Sequence, residues 1–256
     1  MSLRLKKQII YGILMLTVFI SGIFIIYLFF KKQPAASCYD GILNQGEEDV
    51  DCGGPCPPCE IKYLKPIIIY PANFITYPNS SFLDLVGFVE NQNENLGLEK
   101  LKYYFELYDL QDKLIAKTET KETPLPPLSK VIITYLNYPI PTSDINKVKL
   151  IVIEPKKEEW LKLNPEKLPI VYYNERLEKE QNVWKFSISL FNKGFIPYDI
   201  EMNVLIYDEV NNLIGISKSL VNIKPQEIKN LIISFNNLSK HPKGFGVYLQ
   251  RTKLLR

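Results

Sequence analysis

The chain has 256 residues, with 31 Lys plus Arg set against 28 Asp plus Glu for a formal charge of +3. So even a balance offers no basic field of the kind that grips nucleic acid, and a single histidine, His241, removes most catalytic triads and histidine-based metal sites. Sixteen Tyr, 13 Phe and 18 Pro, among many Ile and Val, favour strands over helices.

Residues 9–30, from Ile9 to Phe30, carry no charged side chain. As a helix they would measure about 33 Å, against roughly 30 Å of bilayer hydrocarbon, so a single transmembrane helix in contact with membrane lipid is expected. Arg4, Lys6 and Lys7 precede the segment and Lys31 and Lys32 follow it. The short basic arm, residues 1–8, is expected in the cytoplasm, and the chain after about residue 32 outside the cell membrane. Two competing readings also export the chain. A cleaved signal would have a shorter apolar run, of about 7–15 residues, and here Lys31-Lys32 intervenes before Ala35-Ala36-Ser37. Acylation of Cys38 would call for a branched residue three places earlier, where Ala35 stands.

Residues 31–60 form a cysteine-rich collar that holds all four cysteines, Cys38, Cys52, Cys56 and Cys59. With few large apolar groups it cannot build a core, so in an oxidising compartment two disulfides are expected, in any of three pairings. The Cys56-Pro-Pro-Cys59 spacing is that of thiol-disulfide catalysts, without the helix N-terminus that activates them. The irregular cysteine spacing also argues against a four-thiolate zinc site. Asp40, Asn44, Glu47, Asp49 and Asp51 offer enough hard oxygen atoms for Ca²⁺, in a pattern that is not an EF-hand. The segment resembles a motif of exported microbial proteins, Cys-x-Asp-Gly-x-x-Asn-x-x-Glu-x-x-Val-Asp-Cys-Gly-Gly-x-Cys-x-x-Cys, matched from Cys38 to Cys59. The resemblance implies an extracytoplasmic spacer or recognition module, and no reaction.

Beyond the collar, short apolar runs alternate with turn residues. Residues 61–155 read as a first β-sandwich, with strands at Tyr63–Tyr70, Phe82–Glu90, Leu101–Asp109, Leu114–Ala116, Lys130–Leu136 and Lys147–Ile153. In the third of these, Tyr103, Phe105 and Leu107 should face the core, and Lys102, Tyr104 and Glu106 the solvent. Residues 156–167 read as a linker, with Trp160 packed on one of the sandwiches. Residues 168–256 read as a second sandwich that repeats the first: Tyr108-Asp109 and Tyr207-Asp208 are 99 positions apart, as are Leu114-Ile115 and Leu213-Ile214. Asp109 and Asp208, at strand ends, are expected to bind turn amides. Arg251, Lys253 and Arg256 read as a solvated tail.

Phe105-Glu106-Leu107-Tyr108-Asp109 resembles the signature of the FxLYD family, small immunoglobulin-like sandwiches of exported prokaryotic proteins. On that resemblance, Phe105, Leu107, Tyr108 and Asp109 are signature positions of a binding or structural module, and no catalytic residue is implied. In the second half Val204 and Ile206 replace Phe and Leu. The fold expected is therefore mainly β, with a transmembrane helix, a disulfide-rich segment and two tandem Ig-like antiparallel sandwiches. The function expected is a non-enzymatic adhesion, scaffold or assembly module with a protein partner, no cofactor beyond the calcium candidate, and aromatics such as Tyr104 as contact points. The alternative is a tethered thiol-disulfide or metal-dependent factor acting through the collar.

Overall fold

The computed structural model describes residues 3–30, 37–139, 144–165, 167–236 and 238–254. Lys31, Lys32, Ala35, Ala36 and Arg256 lie outside them. Residues 1–56 and 57–256 form two compact units.

In the first unit, α1 (Leu3–Phe30) takes in most of the basic arm, so Arg4, Lys6 and Lys7 sit on the helix and not on a separate tail. Its stretch Lys6–Tyr27 is long and apolar enough to span a membrane, and none of it is buried inside the protein. The two hydroxyls in this stretch are satisfied within the helix: Thr17 Oγ1 donates to Leu14 O and Ser21 Oγ to Val18 O, both at 2.8 Å. Ser and Thr hydroxyls within a helix commonly bond back to a main-chain carbonyl of the preceding turn in this way.

The second unit is built from antiparallel sheets. Its first sandwich comprises β1 (Ile68–Ile69), β2 (Asn73–Thr76), β3 (Phe82–Asn91), β4 (Leu96–Tyr108), β5 (Leu114–Lys117), β6 (Lys121–Leu125), β7 (Ser129–Pro139), β8 (Lys147–Val152) and β9 (Trp160–Lys162). In one sheet β3 has β1 and β2 along one edge and β7 along the other; in the facing sheet β4 lies between β5/β6 and β8/β9. The second sandwich comprises β10 (Ile170–Glu180), β11 (Val183–Asn192), β12 (Tyr198–Tyr207), β13 (Leu213–Ile223), β14 (Ile228–Phe235) and β15 (Gly244–Arg251), in sheets ordered β10-β11-β14 and β13-β12-β15. Alternation sets the cores. Tyr103, Phe105 and Leu107 are buried with Leu83, Leu85 and Val131, while Lys102 is exposed. Met202, Val204 and Ile206 play the same part with Phe186 and Ile188.

Three expectations need correction. Of Tyr63–Tyr70 only Ile68–Ile69 is strand, because Pro66 removes a ladder donor just ahead of it and Cys59–Tyr63 winds into a 3-10 turn. Residues 156–167 are largely not a linker. After a 3-10 turn at Lys157–Glu159, Trp160–Lys162 pairs with Leu96–Leu98, and Trp160, only 2% exposed, joins the first core. An indole has too much apolar surface to leave in a solvated connector. Arg251 ends β15, with its guanidinium 5.1 Å from the centre of the Tyr198 ring, and so does not belong to a tail. Gly244 and Gly246 interrupt the apolar alternation that would have announced that strand.

Each sandwich carries a buried asparagine that sequence reading passed over. Asn91, at the end of β3, donates through Nδ2 to Leu96 O and Pro126 O, and its Oδ1 accepts from Asn93 N. Asn192, at the end of β11, donates to Ile196 O and Lys224 O and accepts from Gly194 N. Each side chain ties its own loop to the loop that opens β7 or β14. Asn192→Ala leaves several buried polar groups unpartnered and should lower unfolding free energy by about 2–3 kcal/mol, measured as a drop in urea midpoint at unchanged slope; an exposed control, Glu94→Ala, should stay within about 0.5 kcal/mol.

Candidate functional site

In the collar, hydrogen bonds stand in for a hydrophobic core. Cys38 and Cys56 form a disulfide, their Cα atoms 5.5 Å apart, and Cys52 and Cys59 are oxidised too, so all four cysteines are held in two disulfides. Asp51 accepts the N–H groups of Asp40 and Gly41, both at 3.0 Å to Oδ1. Asp40 accepts from Ile42 N, Ser37 N and Asn44 Nδ2. Glu47 Oε2 accepts from Asn44 N and Asp51 N, and its Oε1 lies 3.1 Å from Cys56 Sγ. Asp49 Oδ1 accepts from Val50 N. The Asn44 carboxamide and the Ile42 amide hold the Asp40 carboxyl below its ordinary range. The paired glycines have a steric reason: Gly54 has a φ of +57°, and a Cβ there would stand 2.2 Å from Gly46 O.

This arrangement bears on the metal and redox readings. Of the calcium candidates, Asp40, Glu47, Asp49 and Asp51 turn carboxylate oxygens to main-chain amides, whereas Asn44 Oδ1 is buried with no hydrogen-bond partner among the described residues. Among the described residues, the only trio of His, Cys, Asp or Glu ligand atoms within 4.8 Å of one another is Cys38, Glu47 and Cys56, and its two sulfurs are bonded to each other. Cys56 pairs with Cys38 and not with Cys59, so Cys56-Pro-Pro-Cys59 is not a closed redox pair.

The signature positions divide between core and turn. Phe105 and Leu107 are fully buried. Tyr108 donates to Glu106 Oε2 at 2.6 Å. Asp109 Oδ1 accepts from Gln111 N and Lys113 N, both at 2.9 Å, with Asp112 at a φ of +56°. The second sandwich repeats this turn: Asp208 Oδ1 accepts from Val210 N and Asn212 N, with Asn211 at +63°. Asp208 also takes Asn212 Nδ2 and Lys240 Nζ, each at 3.0 Å, on Oδ2. Burial pushes the Asp208 carboxyl upward, but these donors outweigh it and hold it well below the carboxylate range. Tyr104 is only half-exposed and has Lys117 Nζ 4.4 Å from its ring centre, so it is less open as a contact point than its sequence position suggests.

A feature that sequence reading missed is the seam between the sandwiches. Val86 and Ile132 of the first sheet and Leu205 and Ile216 of the second form a third buried apolar cluster, with Ile75, Phe88, Tyr207 and Tyr248 around it. Gln250 on β15 clasps the β7 main chain twice: its Oε1 accepts from Ile132 N at 3.1 Å and its Nε2 donates to Ile132 O at 3.2 Å. Phe88 meets Tyr248 of β15, whereas Tyr77, just past β2, packs against the cluster that includes Ile216 of β13. Opposite ends of the first sheet thus meet opposite edges of the second, so the facing strands cross. Tyr77 also donates to Asp84 Oδ2 at 2.7 Å, and Asn137 N donates to Asp84 Oδ1 at 2.8 Å. Burial nevertheless raises the Asp84 pKa above its ordinary value.

No protein-family model matches the chain, and no curated protein sequence does. Among solved structures it is similar to a red sea bream transglutaminase (7% identity, 73% of this chain and 29% of that one, TM-score 0.25). It is also similar to a Bacteroides uniformis β-glucuronidase (12%, 60% and 22%, TM-score 0.21) and to a β-glucuronidase of glycoside hydrolase family 2 (12%, 83% and 26%, TM-score 0.22). The chain spans less than a third of the length of each. Similarity at this level carries no statement about activity.

Two pH responses of opposite sign follow. Asp40 has a depressed pKa, so its stabilising bonds are complete above the ordinary Asp pKa of about 3.9 and fade as pH falls below it. Reduction of Cys38–Cys56 by a phosphine should therefore speed up as pH falls below about 4, and Asp40→Asn should flatten that response. Asp84 has a raised pKa, so stability associated with its neutral form is lost as pH rises from about 4 through the raised value. Urea unfolding of Asp84→Asn should show less loss of stability over that rise than the parent protein.

Proposed function

We propose that the protein is a single-pass membrane-anchored module whose exported part is a rigid pair of Ig-like sandwiches, acting as an adhesion, scaffold or assembly subunit with a protein partner. The observation that carries this reading is α1: a 22-residue stretch, Lys6–Tyr27, apolar enough to cross a bilayer, with none of that window buried. Arg4, Lys6 and Lys7 at its start support a cytoplasmic N-terminus with the collar and sandwiches outside. Four oxidised cysteines are in keeping with an oxidising compartment.

The two sandwiches are copies of one FxLYD-type unit. Their matched strand orders, the paired Asp109 and Asp208 turns, and the Asn91 and Asn192 ties support that descent. A partner would meet apolar groups that the fold leaves open, chiefly Phe195, 91% exposed on the β11–β12 loop, with Ile228 and Ile232 on the edge strand β14. That loop is held in place, since Gln226 Nε2 donates to Lys193 O and Gly194 O. The other edge of the same sheet, β10, is guarded by alternating Glu, Arg and Lys from Glu175 to Glu180 and makes a poor docking strand.

Protease added to intact cells should remove residues beyond 60 while leaving the N-terminal arm protected; digestion only in inside-out vesicles would overturn the orientation. A photo-crosslinking amino acid at position 195 should capture a discrete protein in intact cells, and the same probe at Asn79 should not. Equal labelling at both positions would sink the docking face.

A further inference from the structure

We propose that the splayed corner of the seam between the two sandwiches is a binding site for a single ring of a neutral saccharide. Crossed, twisted sheets touch along one diagonal and part at the other corners. At one such corner the sheets leave a cavity of about 290 Å³. Val86 and Leu205, both buried, floor it, and Phe88 and Tyr207 stand at its sides. Asn73, Asn211 and Asn212 supply its polar rim.

The chemistry of this lining selects its occupant. Nothing in the lining is charged, so an anionic or cationic ligand would be desolvated without compensation. Among the described residues the Asn73 and Asn211 side chains have no hydrogen-bond partner, and Asn212 Nδ2 is held by Asp208 Oδ2, leaving the Asn212 Oδ1 as an acceptor. A carboxamide both donates and accepts, which matches a hydroxyl that does the same. Aromatic sides match the C–H face of a pyranose, an apolar surface edged with polar groups. Ligand pockets of drug size begin near 300 Å³, so this one admits about one ring and not an extended chain. The rim is also preformed: Asn211 sits at the left-handed position of the turn that Asp208 fixes, so little ordering remains for binding. The site exists only where the two sandwiches meet, and neither would form it alone.

The test uses the full chain in lipid nanodiscs with the methyl glycosides of glucose, galactose, mannose and N-acetylglucosamine, at up to 20 mM, and their neutral tetrasaccharides. Saturation-transfer NMR should show contact at the ring C–H protons of at least one. The variant Asn73→Ala with Asn211→Gly, the glycine keeping the left-handed turn, should weaken that binding by tenfold or more at an unchanged urea midpoint. A tetrasaccharide that binds through its terminal ring alone identifies a glycan chain end as the source; a glycoside that binds as tightly identifies the free sugar. The proposal is overturned by no signal from any neutral probe, by a signal indifferent to the double variant, or by glucuronate binding as tightly as glucose. Should the double variant unfold, Asn73→Ala alone decides, since its side chain is exposed and has no hydrogen-bond partner among the described residues.

Discussion

Both central strands that face the seam, β3 and β12, carry apolar residues on both faces, and the arrangement of residues 57–256 follows from that constraint. Successive side chains on a strand point to opposite sides of the sheet, so Leu83 and Leu85 can fill a sandwich core while Val86 and Phe88 point away from it. The same holds for Val204 and Ile206 on one side and Leu205 on the other. A sheet with two oily faces needs a cover on each. The five buried members of the seam cluster, at about 1.5–3 kcal/mol each, contribute on the order of 10 kcal/mol as an upper estimate. That exceeds what a short tether between docked domains must overcome, so the sandwiches behave as one body and not as beads on a string.

The polar groups in the seam determine how the surfaces register more than how strongly they adhere. Gln250 fits only where both Ile132 main-chain groups are open to it, and Asn203, fully buried, donates to Glu201 Oε1 at 2.9 Å. Displacing either sheet by one residue would leave these groups without partners and would turn the wrong side chains inward. The interface is oily for strength and sparsely polar for alignment.

Much of the fold was legible in the sequence because its signal is local. The alternation around Phe105 identified a strand and its buried face, and the uncharged run from Ile9 identified the helix. What escaped depends on partners distant in sequence. Nothing near Val86 tells an outward-facing apolar residue at a sheet–sheet contact from one in a core, so the third cluster was invisible. Trp160 looked like a connector residue because its strand partners, Leu96 to Leu98, lie more than sixty positions earlier. Asn91 and Asn192 were readable in principle: an asparagine closing each second strand, about a hundred positions apart, is the kind of recurrence that had already paired the two aspartates. The collar's composition announced cross-links, whereas the choice of Cys38 for Cys56 rested on how the Asp40, Glu47 and Asp51 carboxylates fold the loop.

The Cys38–Cys56 bond has a mechanical consequence. A pulling force entering at α1 and leaving through the sandwiches passes across the sulfur bridge and bypasses the 18-position loop that it closes. Roughly 60 Å of extensible backbone is thereby kept slack. The loop from Cys38 to Cys56 cannot extend while the bridge is intact, and its length is released on reduction.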